Sequence, residues 1–382
     1  MKRLYIFNPE HDLALASGSA NYQAPESALF LASDLATLPK WFAEAGSVVF
    51  DRGDLNPYSC EPMSIDVVEP WGWDLAVRRL LIANGIDDKI LPSVEEIAEF
   101  RQLSHRKIAT RAMNSLRSSI GDKWELPSSA AELYNLNEVS DFVEVHGETV
   151  LKAPWSSSGR GVYWLNKGNF TPSMKGWIKR VIEKQGSIMA EVSMKRKKDF
   201  AMEFKTMEHK ARFMGYSLFF TEETGAYRGN MLMSNDRITE ELKEYIAGEE
   251  LDDVKTQLLE FLENVVAPIY SGSVGVDMFI YQSDRGEYLL NPVVEINMRM
   301  TMGMVARVIY DRYVDSGSEG VFMVEHKSPG RMKVNQSWHD AHEKMEYTDD
   351  NRMKKGYLSL CPVTENTLYR ASISVKPGKY EN

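Results

Sequence analysis

The sequence predicts an α/β (α+β) chain in which a small parallel βαβ unit precedes a larger mixed part. Three observations carry that prediction. Short apolar runs alternate with helix-length segments over roughly residues 1–100, the pattern of βαβ units and a parallel sheet. In the middle of the chain a lysine-ended strand, a run of small residues and a returning strand follow one another. Further on, Gly275–Tyr281 and Tyr288–Met298 are two apolar runs joined across Ser283-Asp284-Arg285-Gly286, a β-hairpin.

The first strand is Leu4-Tyr5-Ile6-Phe7, turned by Asn8-Pro9. A helix is expected over Ala28–Glu44, strands over Ser47–Phe50 and Ile65–Val68, and a helix over Trp73–Asn84. Ser93-Val94-Glu95-Glu96 reads as a capping box that opens another helix. His105–Leu116 is helical in pattern, and Leu126-Pro127 starts a loop. Glu148–Lys152 and Val162–Leu165 read as strands, as does Ser187–Val192 after a helix that ends near Gln185. Phe200–Glu203, Ala211–Phe220 and Arg228–Ser234 are further strands, and Ile238–Ile246 and Asp252–Val265 further helices. Beyond Asp315 the chain is polar and weakly patterned.

Composition narrows the function. With 382 residues the chain is long enough for two to three domains at ~150 residues each. Its 45 basic against 55 acidic side chains leave a net charge of −10, which argues against nucleic acid as a partner. The two cysteines, Cys60 and Cys361, cannot form a disulfide framework or a cysteine zinc site. The opening apolar run breaks at Asn8-Pro9-Glu10-His11-Asp12, so no signal peptide is expected, and no stretch approaches a membrane span. A cytoplasmic location follows.

Two segments carry the chemistry. In Val150–Val162, VLKAPWSSSGRGV, Lys152 ends a strand before three serines and two glycines, whose backbone N–H groups can approach phosphate oxygens. Read alone, the segment fits an ordinary hairpin equally well. In the second, Glu295, Asn297 and Arg299 alternate along one strand face, with Asp277 on the neighbouring strand. Two carboxylates and an amide suit a hard cation such as Mg²⁺. A solvated polar sheet face, or a salt bridge between Glu295 and Arg299, is the plainer alternative, weakened by the apolar residues that flank these groups.

In this order the segments resemble the ATP-grasp superfamily of carboxylate–amine ligases, over roughly residues 90–310. The resemblance implies two α+β lobes clasping ATP behind a small parallel βαβ domain. It divides the chain into 1–103, a small lobe over 104–186 with the phosphate loop, a large lobe over 187–315, and a C-terminal segment over 316–382. It assigns ATP contacts to Lys107 and Lys152, to the loop Ser156, Ser157, Ser158, Gly159, Arg160 and Gly161, and to Glu191 and Met194 at the adenine and ribose hinge. Asp277, Glu295 and Asn297 match its metal ligands, for Mg²⁺ or else Mn²⁺, and Arg299 with Lys152 its catalytic cations. The implied activity is ATP-dependent activation of a carboxylate as an acylphosphate for attack by an amine or similar nucleophile. A phosphotransferase on the same site, and an ATP-binding protein without turnover, are the alternatives. The implied partners are a small-molecule carboxylate and a nucleophilic acceptor.

Three features stay open. The loop Glu10, His11 and Asp12 follows the first strand, at the end where open α/β sheets bind ligands, and fits either an acceptor site or a capped helix start. Lys195-Arg196-Lys197-Lys198 reads as a solvated turn, with a gate for an anionic substrate as the rarer reading. His339 and His342 read as surface residues, and Met298, Met300, Met302 and Met304 as core or cleft lining.

Overall fold

The computed structural model describes residues 1–50, 65–156, 161–166, 170–221 and 227–378. The first region runs β1 (Arg3–Ile6), α1 (His11–Ser17), α2 (Glu26–Asp34), β2 (Val48–Phe50), β3 (Val67–Pro70), α3 (Leu75–Ala83) and α4 (Val94–Leu103). The three strands form a parallel sheet ordered β2-β1-β3, as expected from the alternation of strands and helices. Leu4 and Ile6 pack on Val77 and Leu81 of α3, while Tyr5 and Phe7 face Leu35, Leu38 and Trp71. The helix expected over Ala28–Glu44 is instead two pieces. α2 stops at Asp34, and Leu38–Trp41 is a 3₁₀ turn containing Pro39, whose missing N–H cannot continue an α-helix. The capping box at α4 has both of its hydrogen bonds.

The next region holds α5 (Lys107–Ile120), β4 (Ala131–Leu133), α6 (Leu136–His146), β5 (Thr149–Lys152), β6 (Val162–Leu165), α7 (Pro172–Gln185) and β7 (Ile188–Val192). Its strands pair antiparallel in the order β4-β7-β5-β6. Val139, Val143, Ile178 and Val181 of the two covering helices, α6 and α7, pack on Leu151, Leu165, Ile188 and Ala190.

The remainder builds one large sheet. Its elements are β8 (Lys195–Met207), β9 (Lys210–Thr221), β10 (Tyr227–Leu232), α8 (Asn235–Lys243), α9 (Gly248–Phe261), β11 (Gly272–Gln282) and β12 (Tyr288–Asn297). Then follow α10 (Met302–Tyr313), β13 (Ser318–His326), α11 (Arg331–His342), β14 (Glu346–Tyr347), β15 (Met353–Ser359) and β16 (Tyr369–Pro377). Nine strands line up as β12-β11-β8-β9-β10-β13-β16-β15-β14. On one face Val274, Val276, Met278 and Ile280 of β11 pack with Ile108 and Ala112 of α5 and Leu251 and Val254 of α9. Period-two alternation therefore turns Gly275, Asp277 and Phe279 to the other face.

Two expectations are corrected here. Lys195-Arg196-Lys197-Lys198 is the start of a 13-residue strand and not a turn. Residues 195–197 are exposed, as a solvated run would be, while Lys198 Nζ lies 2.6 Å from Glu241 and Lys195 Nζ donates to the neutral Gln282 Oε1 at 3.0 Å. The segment beyond Asp315 is regular: β13 pairs with β10 and with β16, joining residues 318–377 to the same sheet as β8–β12. The four alternating methionines do pack in core or cleft. His339 stacks on Tyr357 and hydrogen-bonds Glu343 at 2.7 Å. No described helix is long and apolar enough to cross a membrane.

Candidate functional site

The ladder between β11 and β12 sets Asp277 opposite Glu295, and Gly275 opposite Asn297. Residues directly opposite in an antiparallel pair share a face, so the acids and the amide stand together. Asn297 Nδ2 donates to Asp277 Oδ2 at 3.2 Å, and Asn297 Oδ1 accepts from Arg299 Nη2 at 3.1 Å. Arg299 Nε also donates to Asp12 Oδ1 at 2.9 Å. Across the cleft, Arg106 Nη1 pairs with Glu295 Oε2 at 2.7 Å, while its Nε and Nη2 donate to Ala153 O and Ser156 Oγ, both at 3.0 Å. One guanidinium thereby ties β12 to the end of β5 and to the small-residue segment.

A cleft partly open to solvent is lined among others by His11, Asp12, Ser156, Glu295, Asn297 and Arg299. Its electrostatics are those of crowded carboxyls. Burial, then repulsion from Glu295, pushes the Asp277 carboxyl above the ordinary carboxylate range, with Arg299 opposing. Burial works against the Arg299 charge, yet Asp12, Glu295 and Asp277 hold its guanidinium above the ordinary arginine value. Behind them Glu203, 1% exposed, is pushed up to about 8 by burial and accepts from Thr301 Oγ1 at 2.8 Å. The donor set of Asp277, Glu295 and Asn297 offers only oxygen ligands, which fits a hard cation, with Arg106 on Glu295 and Arg299 on Asn297 supplying the positive charge. Among the described residues no cluster of three or more His, Cys, Asp or Glu side chains could hold a metal, so any cation here rests on two carboxylates and an amide.

Lys152 is buried at the end of β5, its Nζ 2.5 Å from Glu191 Oε2 on β7. Burial lowers its ammonium from the ordinary lysine value against the pull of Glu191. Gly161 has a φ of +68°, and a Cβ there would stand 2.9 Å from Ser156 Cβ, so the small-residue segment needs glycine at that turn. Ser157, Ser158, Gly159 and Arg160 lie outside the described residues. Met194 lies with its sulfur 4.0 Å from Asn291 Nδ2.

Lys107 stands at the first position of α5 and pairs with no described acid; the adjacent Arg106 reaches the cleft instead. Of the loop after β1, His11 and Asp12 line the cleft, while Glu10 occupies the N-cap position of α1. Asp74, which the sequence reading did not single out, lies with Oδ2 3.4 Å from His11 Nδ1 and accepts from Asn8 Nδ2 at 3.2 Å. Its other oxygen caps α3, a pattern visible in Asp74 preceding Leu75-Ala76-Val77. Glu203 was also missed, although a lone acid within Phe200–Phe204 is a signal.

Solved structures share this fold over nearly the whole chain. The N5-carboxyaminoimidazole synthetase of Staphylococcus aureus, complexed with ADP, matches over 99% of this chain and 93% of its own, with a TM-score of 0.52 and 11% identity. The biotin carboxylase domain of the Hydrogenobacter thermophilus 2-oxoglutarate carboxylase, complexed with MgADP and bicarbonate, matches over 98% and 86%, with a TM-score of 0.53 and 10% identity. The chain has the ATP-grasp fold. A third ATP-grasp structure, the Campylobacter jejuni biotin carboxylase with a β-γ-ATP ligand, matches over 99% and 88%, with a TM-score of 0.51 and 11% identity. No family profile and no curated protein matches the sequence. Within the ATP-grasp fold, the strands of the small sheet carry Lys152 and Glu191, and the large sheet carries Asp277, Glu295 and Asn297.

Proposed function

We propose that the protein is an ATP-dependent ligase that activates a small-molecule carboxylate as an acylphosphate for attack by an amine or similar nucleophile. The observation that carries this reading is the junction of Arg106, Glu295, Asn297, Arg299 and Asp12, drawn from three regions of the chain around one cleft. The likeness to ATP-grasp structures complexed with ADP and MgADP supports it.

In the first step a carboxylate oxygen attacks the γ-phosphorus, and the bond to the β,γ-bridging oxygen breaks to release ADP. In the second, the nucleophile's lone pair attacks the acyl carbon, phosphate departs with the bonding pair, and the nucleophile loses its proton. Lys152 neutralises phosphate charge from the small lobe. Arg299 meets the charge that builds on the transferred group, so preorganised electrostatics supply much of the acceleration. Glu191 and Met194 flank the base and ribose. Asp277, Glu295 and Asn297 would hold Mg²⁺, which when bound neutralises the phosphates. His11 and Asp12 contact the acceptor.

The test incubates the protein with MgATP and pools of carboxylic acids and amines, separately and together, with mass analysis of products. ADP release requiring both an acid and an amine, with a condensed product, is expected. A phosphorylated acid released without an acceptor would make the protein a phosphotransferase. ATP binding without turnover would make it a nucleotide-binding protein.

A further inference from the structure

The floor of the cleft is a ladder of cross-strand rows. Asn297, Gly275 and Glu203 form one row, Glu295, Asp277 and Ala201 the next, and Asn291, Phe279 and Asp199 a third. The third row arises from a slip in register. Asp277 faces Glu295, but Phe279 faces Asn291, so residues 292–294 of β12 bulge around Pro292. Bulges re-aim side chains beside sites. Here the slip removes Val293, which packs in the helix-side core, from the place opposite Phe279 and puts a carboxamide there.

That carboxamide is 7% exposed, and its Oδ1 has no hydrogen-bond partner among the described residues. Its Nδ2 lies 4.0 Å from Met194 Sδ. A thioether is a weak acceptor and never a donor, so the nitrogen belongs on that side and the oxygen is the unmet group. A buried amide oxygen without a donor is destabilising, so its presence here points to a ligand that donates. Phe279, 3% exposed, lies outside the hydrophobic clusters of the core and carries the Arg196 guanidinium 4.3 Å from its ring centre. An acceptor, an aromatic ring and the Met194 side chain thus meet beyond the acidic rows.

We infer that Asn291 determines nucleobase specificity, its Oδ1 accepting from an exocyclic amino group at the 6-position of a purine. The inference rests on the nucleotide reading above. An amino group at that position donates, whereas the carbonyl of hypoxanthine or guanine would oppose oxygen to oxygen. The protein therefore selects ATP over ITP, which differs from it only around that position.

Calorimetric titration of the wild-type protein with MgATP and MgITP should give at least about tenfold tighter binding of ATP, the scale of one lost hydrogen bond with an unpaired polar group left behind. In Asn291→Leu and Asn291→Ala the ratio should fall to within about twofold, mostly through weaker ATP binding. A merely structural role would weaken both nucleotides alike, because they share ribose and triphosphate, and would leave the ratio intact. An unchanged ratio in both variants overturns the inference. Equal wild-type affinities overturn it while the nucleotide reading stands. Binding of neither nucleotide removes both.

Discussion

Arg299, two residues beyond β12, donates to Asp12 in the first turn of α1, across 287 residues of sequence. Both side chains are mostly buried, at 17% and 21% exposure. The small parallel sheet is therefore fastened to the acidic rows by a charge-assisted hydrogen bond, and the loop after β1 becomes one wall of the cleft.

That wall predicts a division of labour between substrates. His11→Ala should raise the apparent KM for the nucleophilic acceptor several-fold and leave that for ATP nearly unchanged, since His11 stands 3.4 Å from Asp74 on the wall of the cleft that the N-terminal region supplies. Glu10→Ala should have the smaller effect, because Glu10 stands at the helix cap. Steady-state kinetics with each substrate varied in turn decides this. Equal changes in both KM values would assign the loop a structural role.

Lys152 should matter to nucleotide affinity itself. Its replacement by Ala removes a buried cation 2.5 Å from Glu191 and should weaken ATP binding by about 1–3 kcal/mol. Calorimetry that finds the affinity unchanged takes Lys152 out of the site.

Glu295→Gln and Asn297→Ala should each abolish turnover with the fold retained, by circular dichroism and thermal melting. Both side chains share a face with Asp277, and neither belongs to the apolar core. Full activity of either variant with Mg²⁺ would falsify the metal assignment.

Glu250 on α9 lies away from these residues and gives a prediction on pH. Burial pushes its carboxyl from 4.5 up to about 7. The folded state thus holds the proton more tightly than the unfolded one, so its contribution is complete below about pH 4.5 and is lost as pH rises through 7. Glu250→Gln should stabilise the protein by about 1–3 kcal/mol at pH 8 and have little effect at pH 4.5. Urea midpoints at the two pH values measure it, and equal gains at both would mean that ionisation is not the cause.

The fold was legible where the pattern is local. Period-two alternation within Tyr288–Met298 was enough to set Glu295 and Asn297 on one face, and the hairpin turn at residues 283–286 to bring the strand of Asp277 alongside. Lys195–Lys198 misled, since a run of cations shows its charge and not the Glu241 or Gln282 that meets it. The adjacent Arg106 and Lys107 differ by about 100° around a helix start, and only packing decides which of them faces β12. Residues 318–377 looked polar partly because buried polar groups such as Arg370, bonded to Glu325 and Gln336, interrupt the apolar alternation of β16. The bulge at Pro292 was equally hidden, because register belongs to two strands and not to one.

The order of strands in the large sheet also bears on how the chain is made. β10 pairs with β9 on one side and with β13 on the other, and β13 ends about 90 residues later. On a ribosome adding roughly 5–20 residues per second, that edge stays open for on the order of 5–20 s. Asp12, translated early, likewise waits for the guanidinium of Arg299. An open edge is a template for pairing with another chain. Nascent copies are thus most prone to aggregation in this interval, and translation slowed between residues 232 and 318 prolongs the exposure.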